Sequence, residues 1–204
     1  MATREVLLDA ATLVFAEQGF AGARVDDIAA RAGVNKALIY AYYGDKKGLY
    51  RAVLTSHVSE FADPMISESL AKEAGPRRAL EEVVRRYLRT LIRDRAFARL
   101  LAWELLSPGR EGRELIMESA APLLQLINAL VSSGRESGEL PPTVDPELFR
   151  TVLIALGLGY TVQHSAMILS RSREGVQVSD EQFIDYACLT LLGSRESHRE
   201  LRTA

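Results

Sequence analysis

The chain has 204 residues, 48% hydrophobic and 25% charged, with 25 Lys+Arg against 27 Asp+Glu for a formal net charge of −2. A disordered chain would be poorer in apolar residues and more lopsided in charge, and 14 Gly with 7 Pro are too few for a collagen-like or linker-dominated one. Every apolar run stops well short of the roughly eighteen residues a membrane span needs. Glu5 and Asp9 stand where a signal peptide is basic and then apolar, and the single Cys188 cannot form an internal disulfide. A cytoplasmic protein without a membrane partner is expected.

Apolar residues recur at helical rather than strand spacing. Leu7, Ala10, Ala11, Val14 and Phe15 form an i, i+3, i+4, i+7, i+8 stripe, and Gly19 reads as the stop of that first helix. A short helix is predicted from about Val25 to Ala32, followed by Gly33-Val34. Asn35 is an N-cap for another short helix, from Lys36 to about Tyr43. Gly44-Asp45 ends it and caps a fourth helix with Leu49, Tyr50, Val53, Leu54, His57 and Phe61 on its inner face, which Pro64 should kink or end. Beyond Pro64 the helices lengthen. One opens at Gly75-Pro76 and aligns Leu80, Val83, Val84, Tyr87, Leu88 and Leu91. The next runs from about Arg95 to Leu106, and another from about Glu111 to Glu136, with Pro122 as a bend or break. Asp145-Pro146-Glu147 is a start signal for a helix reaching Ser170, and Ser179 or Asp180 opens the last. With no strand pattern, internal repeat or low-complexity tract, the predicted fold class is all-α.

Residues 25–46 read VDDIAARAGVNKALIYAYYGDK. A helix-turn-helix needs a small residue where two helices nearly touch, a Gly in the turn and an apolar plug in the second helix. Ala29, Gly33 and Ile39 supply these at offsets of four and six, and Ile28, Val34 and Ile39 would pack the two helices together. Gly33 takes a left-handed turn conformation without a Cβ clash. The second helix, about seven residues or roughly 10 Å, is long enough to enter a major groove. The same spacing also suits an ordinary helical hairpin.

The surrounding residues resemble the N-terminal signature of the TetR family of transcriptional regulators. The matching pieces are Ala11 with Phe15 and Gly19-Phe20, Val25-Asp26-Asp27-Ile28-Ala29, Ala32-Gly33-Val34, Leu38-Ile39-Tyr40, Tyr42-Tyr43, Asp45-Lys46 and Leu49. They cover about residues 4–54 in order and without gaps, while the remainder matches only as a long-helix domain of the expected length. The resemblance implies a three-helix helix-turn-helix DNA-binding domain over residues 1–54 and a larger helical effector-binding and dimerisation domain over 55–204. It also implies a dimeric, sequence-specific DNA-binding regulator, a repressor released from its operator by a small molecule.

Lys36, at the start of the recognition helix, can reach a guanine edge or a phosphate. Asn35, Ala37 and Leu38 share that first turn, with Leu38 suited to a thymine methyl. Tyr40 and Tyr42 stand where the family's aromatic residues offer contacts to phosphate, whereas Tyr43 takes a place that is usually Phe and reads as core. Lys46 matches a family lysine on the DNA backbone, and Arg24 with the backbone around Val25 is a phosphate contact. The family often has Thr or Ser at Ala23 and Arg24 and Thr at Leu38. Asp26 brings a carboxylate to a position that reads bases in some relatives, where it accepts from cytosine or repels phosphate. Residues 1–54 carry seven basic residues (Arg4, Arg24, Arg31, Lys36, Lys46, Lys47, Arg51) against six acidic ones, so a modest salt dependence of binding is expected.

One short helix reads only a few base pairs. Two copies about 34–36 Å apart would read a near-palindromic double-stranded DNA site. Phe149, Val152, Leu153, Leu156 and Tyr160 on one helix, and Phe183, Ala187 and Leu191 on the last, form apolar faces that would pair with their copies in a four-helix homodimer seam. Gly157 and Gly159 would let a partner helix approach closely. The same faces also suit internal core. Tyr87, Leu91, Trp103, Met117, Leu123, Ile127, Gln163, His164 and Met167 have the mixture of a small-molecule pocket, and equally of a helical core. The helix from about Lys46 to Phe61 would carry the effector signal to the DNA-reading head.

The sequence holds no Gly-rich phosphate loop, no H-E-x-x-H and no G-x-S-x-G. Asp26-Asp27 and Glu81-Glu82 are adjacent and point apart on a helix. Three His and one Cys are scattered without metal-ligand spacing. The expectation is no enzyme, no catalytic residue, no metal, and no cofactor beyond an unidentified small-molecule effector. A rival with the same head is a DNA-bound adaptor that signals through a protein partner.

Overall fold

The computed structural model describes residues 3–61, 65–106, 112–170 and 178–193, and their side chains except at 58–61, 65–68 and 164–170. The helices are α1 (Thr3–Gly22), α2 (Val25–Ala32), α3 (Ala37–Tyr43), α4 (Lys46–Phe61), α5 (Met65–Ala74), α6 (Pro76–Arg93), α7 (Arg95–Leu106), α8 (Arg113–Glu136), α9 (Pro146–Ser170) and α10 (Asp180–Leu192). No strand occurs among the described residues, so the fold is all-α as the periodicity predicts.

The chain divides into two compact units, one of residues 1–62 and 94–120, the other of residues 63–93 and 121–204. The unit that holds the head therefore reaches past residue 54, and the reason is its core. Leu7, Ala11, Val14 and Phe15 of α1 meet Ile28 of α2, Ile39 of α3 and Leu49, Tyr50, Val53 and Leu54 of α4, and Leu100 of α7 completes the set. Leu115 and Ile116 of α8 pack against its edge. Each such large side chain, fully buried, contributes roughly 1.5–3 kcal/mol relative to an exposed one. The Tyr50 ring is the hub, 4.7 Å from Phe15 and 5.0 Å from Phe20 between ring centroids.

Gly19 marks the end of regular α1, with φ 68° and ψ 175° inside the helix that continues to Gly22. Its missing side chain leaves room for Trp103 of α7: a Cβ there would lie 3.0 Å from the indole Cδ2. The indole N–H donates to the Ala16 carbonyl at 3.2 Å, the last turn before the break. Below this contact a second tie joins α4, α7 and the start of α8. Glu104 is 5% exposed, accepts from the Tyr50 hydroxyl at 2.5 Å, and accepts from the Gly112 N–H at 2.9 Å. Burial and the neighbouring Glu104 push the Tyr50 hydroxyl well above the usual tyrosine range.

In the second unit Leu80, Val84, Leu88 and Leu91 of α6, Ile127 and Val131 of α8, and Ile184, Ala187 and Leu192 of α10 are buried. α6 and α10 are also laced by charge: Arg85 reaches Asp185 at 2.8 Å and Arg89 takes Glu181 with two donors at 3.0 Å. Arg77 donates to the carbonyls of Leu192 and Gly193 at 2.6 Å, satisfying orphan acceptors at the end of α10. That helix begins with a full capping box between Ser179 and Gln182. α9 begins with Asp145 accepting from the amides of Glu147 and Leu148, and Pro146 is its first residue.

α8 runs unbroken through Pro122, where a bend or break is expected. Pro122 and Glu118, whose carbonyl loses its intrahelical donor, are both exposed, so water can take the place of the missing N–H. An 18-residue window of α8 reaches a mean hydropathy of 1.4, apolar and long enough on composition to cross a membrane. Leu123, Ile127, Leu130 and Val131 of that helix are buried within the protein, while only 28% of the window as a whole is buried.

Candidate nucleic-acid interface

The head presents α3 on a rigid frame. Gly33 ends α2 in the left-handed region at φ 66° and ψ 30°, and its N–H and that of Val34 close onto Ala30 and Ala29. Asn35 caps α3, its Oδ1 accepting from the Ala37 N–H at 2.9 Å. Ile39 is fully buried as the plug, and Ala29 is buried where α2 and α3 meet. Asp45 then caps α4 through the Gly48 N–H at 2.6 Å. With these ends fixed, most of the surface of α3 is left to solvent: Asn35, Lys36, Ala37, Tyr40 and Tyr42 are exposed and Leu38 is half-buried. The two tyrosines, Tyr40 and Tyr42, are 50% and 46% exposed on one short helix beside a lysine.

Tyr43 lies apart from that face, its hydroxyl donating to the Arg4 carbonyl at 3.3 Å and its ring beneath the Arg4 guanidinium. Arg24 is exposed at the N-cap of α2 with extended backbone and no side-chain cap, so the first amides of α2 near Val25 point outward beside a guanidinium.

Lys46 is used differently from the expectation. Its ammonium donates to the Ala23 carbonyl at 2.8 Å and lies 3.5 Å from that of Ala21, with the Phe20 ring 4.7 Å away. It ties the α1–α2 connection to the start of α4. A lysine at a helix start has the reach for either role.

Lys36 has a partner the one-dimensional pattern does not show. Its Nζ is 2.9 Å from Asp26 Oδ1, an exposed ion pair across the turn. The hydrogen bond and charge of Asp26 hold the ammonium above the ordinary lysine value. Arg31 likewise pairs with Glu17 at 3.0 Å, tying α2 to α1. The spacing of ten residues between Asp26 and Lys36 is the signal in the sequence, once both are placed either side of the turn.

The residues expected to line a pocket are shared between the two units. Tyr87, Leu91, Leu123 and Ile127 are buried in the second unit, and burial drives the Tyr87 hydroxyl far above its usual range. Trp103 and Met117 belong to the first unit, Trp103 against Gly19 and Met117 exposed. Gln163 is exposed, and the side chains of His164 and Met167 lie outside the described residues. Aromatic and thioether side chains fill gaps in any helical core, so composition alone does not separate cavity from packing.

The residues expected in a homodimer seam fall into two groups by exposure. Phe149, Leu153, Ala187 and Leu191 are buried in the chain's own core. Tyr160 and Phe183 stack on each other, centroids 3.8 Å apart, and the Tyr160 hydroxyl donates to Asp180 at 2.7 Å. Gly157 admits α6 of the same chain, since a Cβ there would lie 2.7 Å from Leu91 and 2.9 Å from Tyr87. Val152 is exposed and Leu156 half-buried. Another stripe faces outward. Leu148, Val152, Ala155, Gly159 and Val162 follow one another at steps of four and three, and all are exposed except the half-exposed Gly159, which has open space over its Cα. Tyr186 and Leu189 of α10, 71% and 56% exposed, extend the apolar surface. The inner stripe is bulkier, with Phe149, Leu153, Leu156 and Tyr160, which is why it stands out in the sequence.

Two family profiles match the chain: one described as bacterial regulatory proteins, tetR family, over residues 7–53, and one described as tetracyclin repressor-like, C-terminal domain, over residues 76–175. The chain is 27% identical over 147 residues to the fatty acid metabolism regulator protein of Bacillus subtilis (strain 168), covering 72% of this chain and 75% of that one. It is 31% identical over 150 residues to the HTH-type transcriptional regulator RutR of Escherichia coli O157:H7, covering 72% and 68%. The structure of the transcriptional regulator FadR from Bacillus subtilis in complex with stearoyl-CoA shares the fold, with a TM-score of 0.72 at 22% identity over 94% of this chain and 99% of that one. Capped recognition helix, left-handed turn glycine and matched profiles agree: the chain belongs to the TetR family of bacterial transcription regulators.

Proposed function

We propose that this protein is a homodimeric, sequence-specific DNA-binding repressor that leaves a near-palindromic operator when a small molecule binds its second unit. The observation that carries the reading is the outer face of α3, where Lys36, Tyr40 and Tyr42 stand exposed on a helix whose inner side is fixed by the buried Ile39. That face suits a major groove, and Arg24 with the first amides of α2 suits the flanking phosphates. The dimer is supported by the outward stripe of α9 with Tyr186 and Leu189, whose alternating steps of four and three are those of a helix packed along a second helix. Such a regulator works in the cytoplasm, where its DNA is.

The effector reading rests on Tyr87 and Leu91 of α6 and Leu123 and Ile127 of α8, buried apolar bulk with one phenolic hydroxyl. The Bacillus subtilis relative is a fatty acid metabolism regulator, so long-chain acyl-CoA thioesters are the first class to assay. An effector lowers operator affinity by the ratio of its affinities for the two states of the protein.

Binding-site selection from random duplex DNA, with the stoichiometry of the bound species, tests the reading. An enriched palindrome bound by two or four chains is expected. A folded dimer that enriches nothing at low salt would sink it. A palindrome bound tightly at every effector tried, with a DNA-dependent protein partner, would favour the adaptor.

A further inference from the structure

We infer that Asp26 and Lys36 act as one unit that reads a single G·C base pair in each half-site, Lys36 on the guanine and Asp26 on the cytosine amino group. The inference rests on the proposed role of the head as a sequence reader.

Asp26 places a carboxylate where one is out of place. Asp26 is exposed in the first turn of α2, on the side of the head that carries Lys36 at the start of α3. A free carboxylate beside DNA repels every phosphate nearby and has no partner in the major groove except an amino group, which thymine and guanine do not present there. The cytosine N4 and adenine N6 amino groups are the donors there. A carboxylate is compatible with such a surface only if one of them, or a fixed cation, is opposite it. Lys36 supplies the cation, and the base would supply the amino group.

Geometry then selects the base pair. In a G·C pair the O6 acceptor and the N4 donor are joined by a base-pair hydrogen bond and so lie about 2.9 Å apart. Nζ of Lys36 and Oδ1 of Asp26 are 2.9 Å apart. The protein pair laid over the base pair thus sets donor against acceptor and acceptor against donor at matched spacing. An A·T pair offers the same two groups in the reverse sense, O4 under the ammonium and N6 under the carboxylate. Its N7 acceptor then falls on the carboxylate side and repels it, and the thymine methyl falls beside the ammonium. In the G·C pair N7 falls on the ammonium side, where it adds to the attraction. The ion pair is therefore a polar comb that fits one orientation of one base pair.

The pairing also limits non-specific attraction. An ammonium already matched by a carboxylate releases fewer counterions on random DNA than a bare lysine does. The near-balanced charge of the head agrees with this, with six acidic residues among the first 54 against seven basic ones.

Site selection with the unaltered protein, Asp26→Ala, Asp26→Asn and Lys36→Ala tests the inference. Asp26 is solvent-exposed and unburied by other groups, so the substitutions leave the head folded, which a melting curve checks. The unaltered protein should enrich one G·C pair per half-site by about tenfold to a hundredfold over the other pairs. D26A and K36A should both lose that preference, at the same position and nowhere else. D26N should move it toward adenine, because a side-chain amide matches the N6 and N7 of adenine. D26A should also bind random DNA more tightly and steepen the salt slope by about one. An enriched site that D26A leaves unchanged at every position overturns the inference alone, as do D26A and K36A acting at different positions. No enrichment by the unaltered protein removes the reading of the head itself, and the inference with it.

Discussion

The ammonium of Lys46 donates to the backbone carbonyl of Ala23 at 2.8 Å, so a residue at the start of α4 fixes the entry to α2. Lys46→Met keeps the apolar stem over Phe20 and removes the donor. It should cost roughly 1 kcal/mol of stability, the scale of one partly exposed charged hydrogen bond. Operator affinity should fall with it while the slope of log affinity against log salt stays the same. A slope shallower by about one would instead place the ammonium on a phosphate.

Gly19 and Trp103 form a second contact that depends on a missing atom. Gly19→Ala brings a Cβ to 3.0 Å from the indole and forces an L-residue to φ 68°. The variant should lose about 1–3 kcal/mol. The chain has one tryptophan, so its emission reports this site alone and should shift red as the indole is pushed outward. An unchanged spectrum and melting temperature would contradict the packing.

Glu104 accepts from two buried donors, and the substitutions there should form a series. Glu104→Ala leaves the Tyr50 hydroxyl and the Gly112 amide without their acceptor and should cost about 2–5 kcal/mol. Glu104→Gln retains one carbonyl oxygen and should cost less. Tyr50→Phe removes one donor and should fall between the alanine variant and the parent. Chemical denaturation ranks the three, and an alanine variant within about 0.5 kcal/mol of the parent would rule out a structural role for the knot.

His57 sits 2.6 Å from Asp94, with its other ring nitrogen 3.3 Å from the Thr12 hydroxyl. Burial works against the Asp94 charge, but hydrogen bonds from His57 and the Phe97 amide outweigh it and hold the carboxyl below its usual range. A depressed folded-state value means stability that is complete above the unfolded value, about 3.9, and lost as the pH falls through the folded value. Asp94→Asn should therefore be less stable than the parent at pH 5, with the gap closing below about pH 4. A gap of constant size across that acid range would count against the ion pair as its source.

In the proposed dimer, the two stripes of α9 separate folding from assembly. Val152→Glu or Leu189→Glu, on the outward surface, should halve the mass in light scattering. Leu153→Ala, in the core, should keep the mass and cost about 2–4 kcal/mol of stability. If both kinds of variant stay dimeric, another surface holds the copies together.

Helix boundaries, caps and the head's core were readable because each has a short-range cause. Ser179 with Gln182, Asp145 before Pro146, and Asn35 before α3 are capping residues whose bonds span two or three positions. The stripe of Leu7, Val14 and Phe15 is similarly local. What failed to show was which of two apolar faces on one helix turns inward. Leu153 and Val152 are neighbours in sequence, and only the neighbours in space assign one to the core and the other to solvent. Charged side chains were the other blind spot. Lys36 and Lys46 look alike in the sequence, yet one meets a carboxylate and the other a carbonyl, and both partners are at least ten residues away. Trp103, placed among pocket residues by its character, belongs with a glycine far earlier in the chain.

The head-bearing unit is made of two stretches of chain, 1–62 and 94–120, with thirty-one residues of the other unit between them. Leu100 lies within its core, and Leu115 and Ile116 lie against it. During synthesis, therefore, the first four helices leave the ribosome with one wall of their core still inside it. At about 5–20 residues per second the wall arrives several seconds after α3 has formed. Until then the DNA-reading surface has no finished support, so a nascent or truncated chain ending before α7 would not compete with the full-length regulator for its sites.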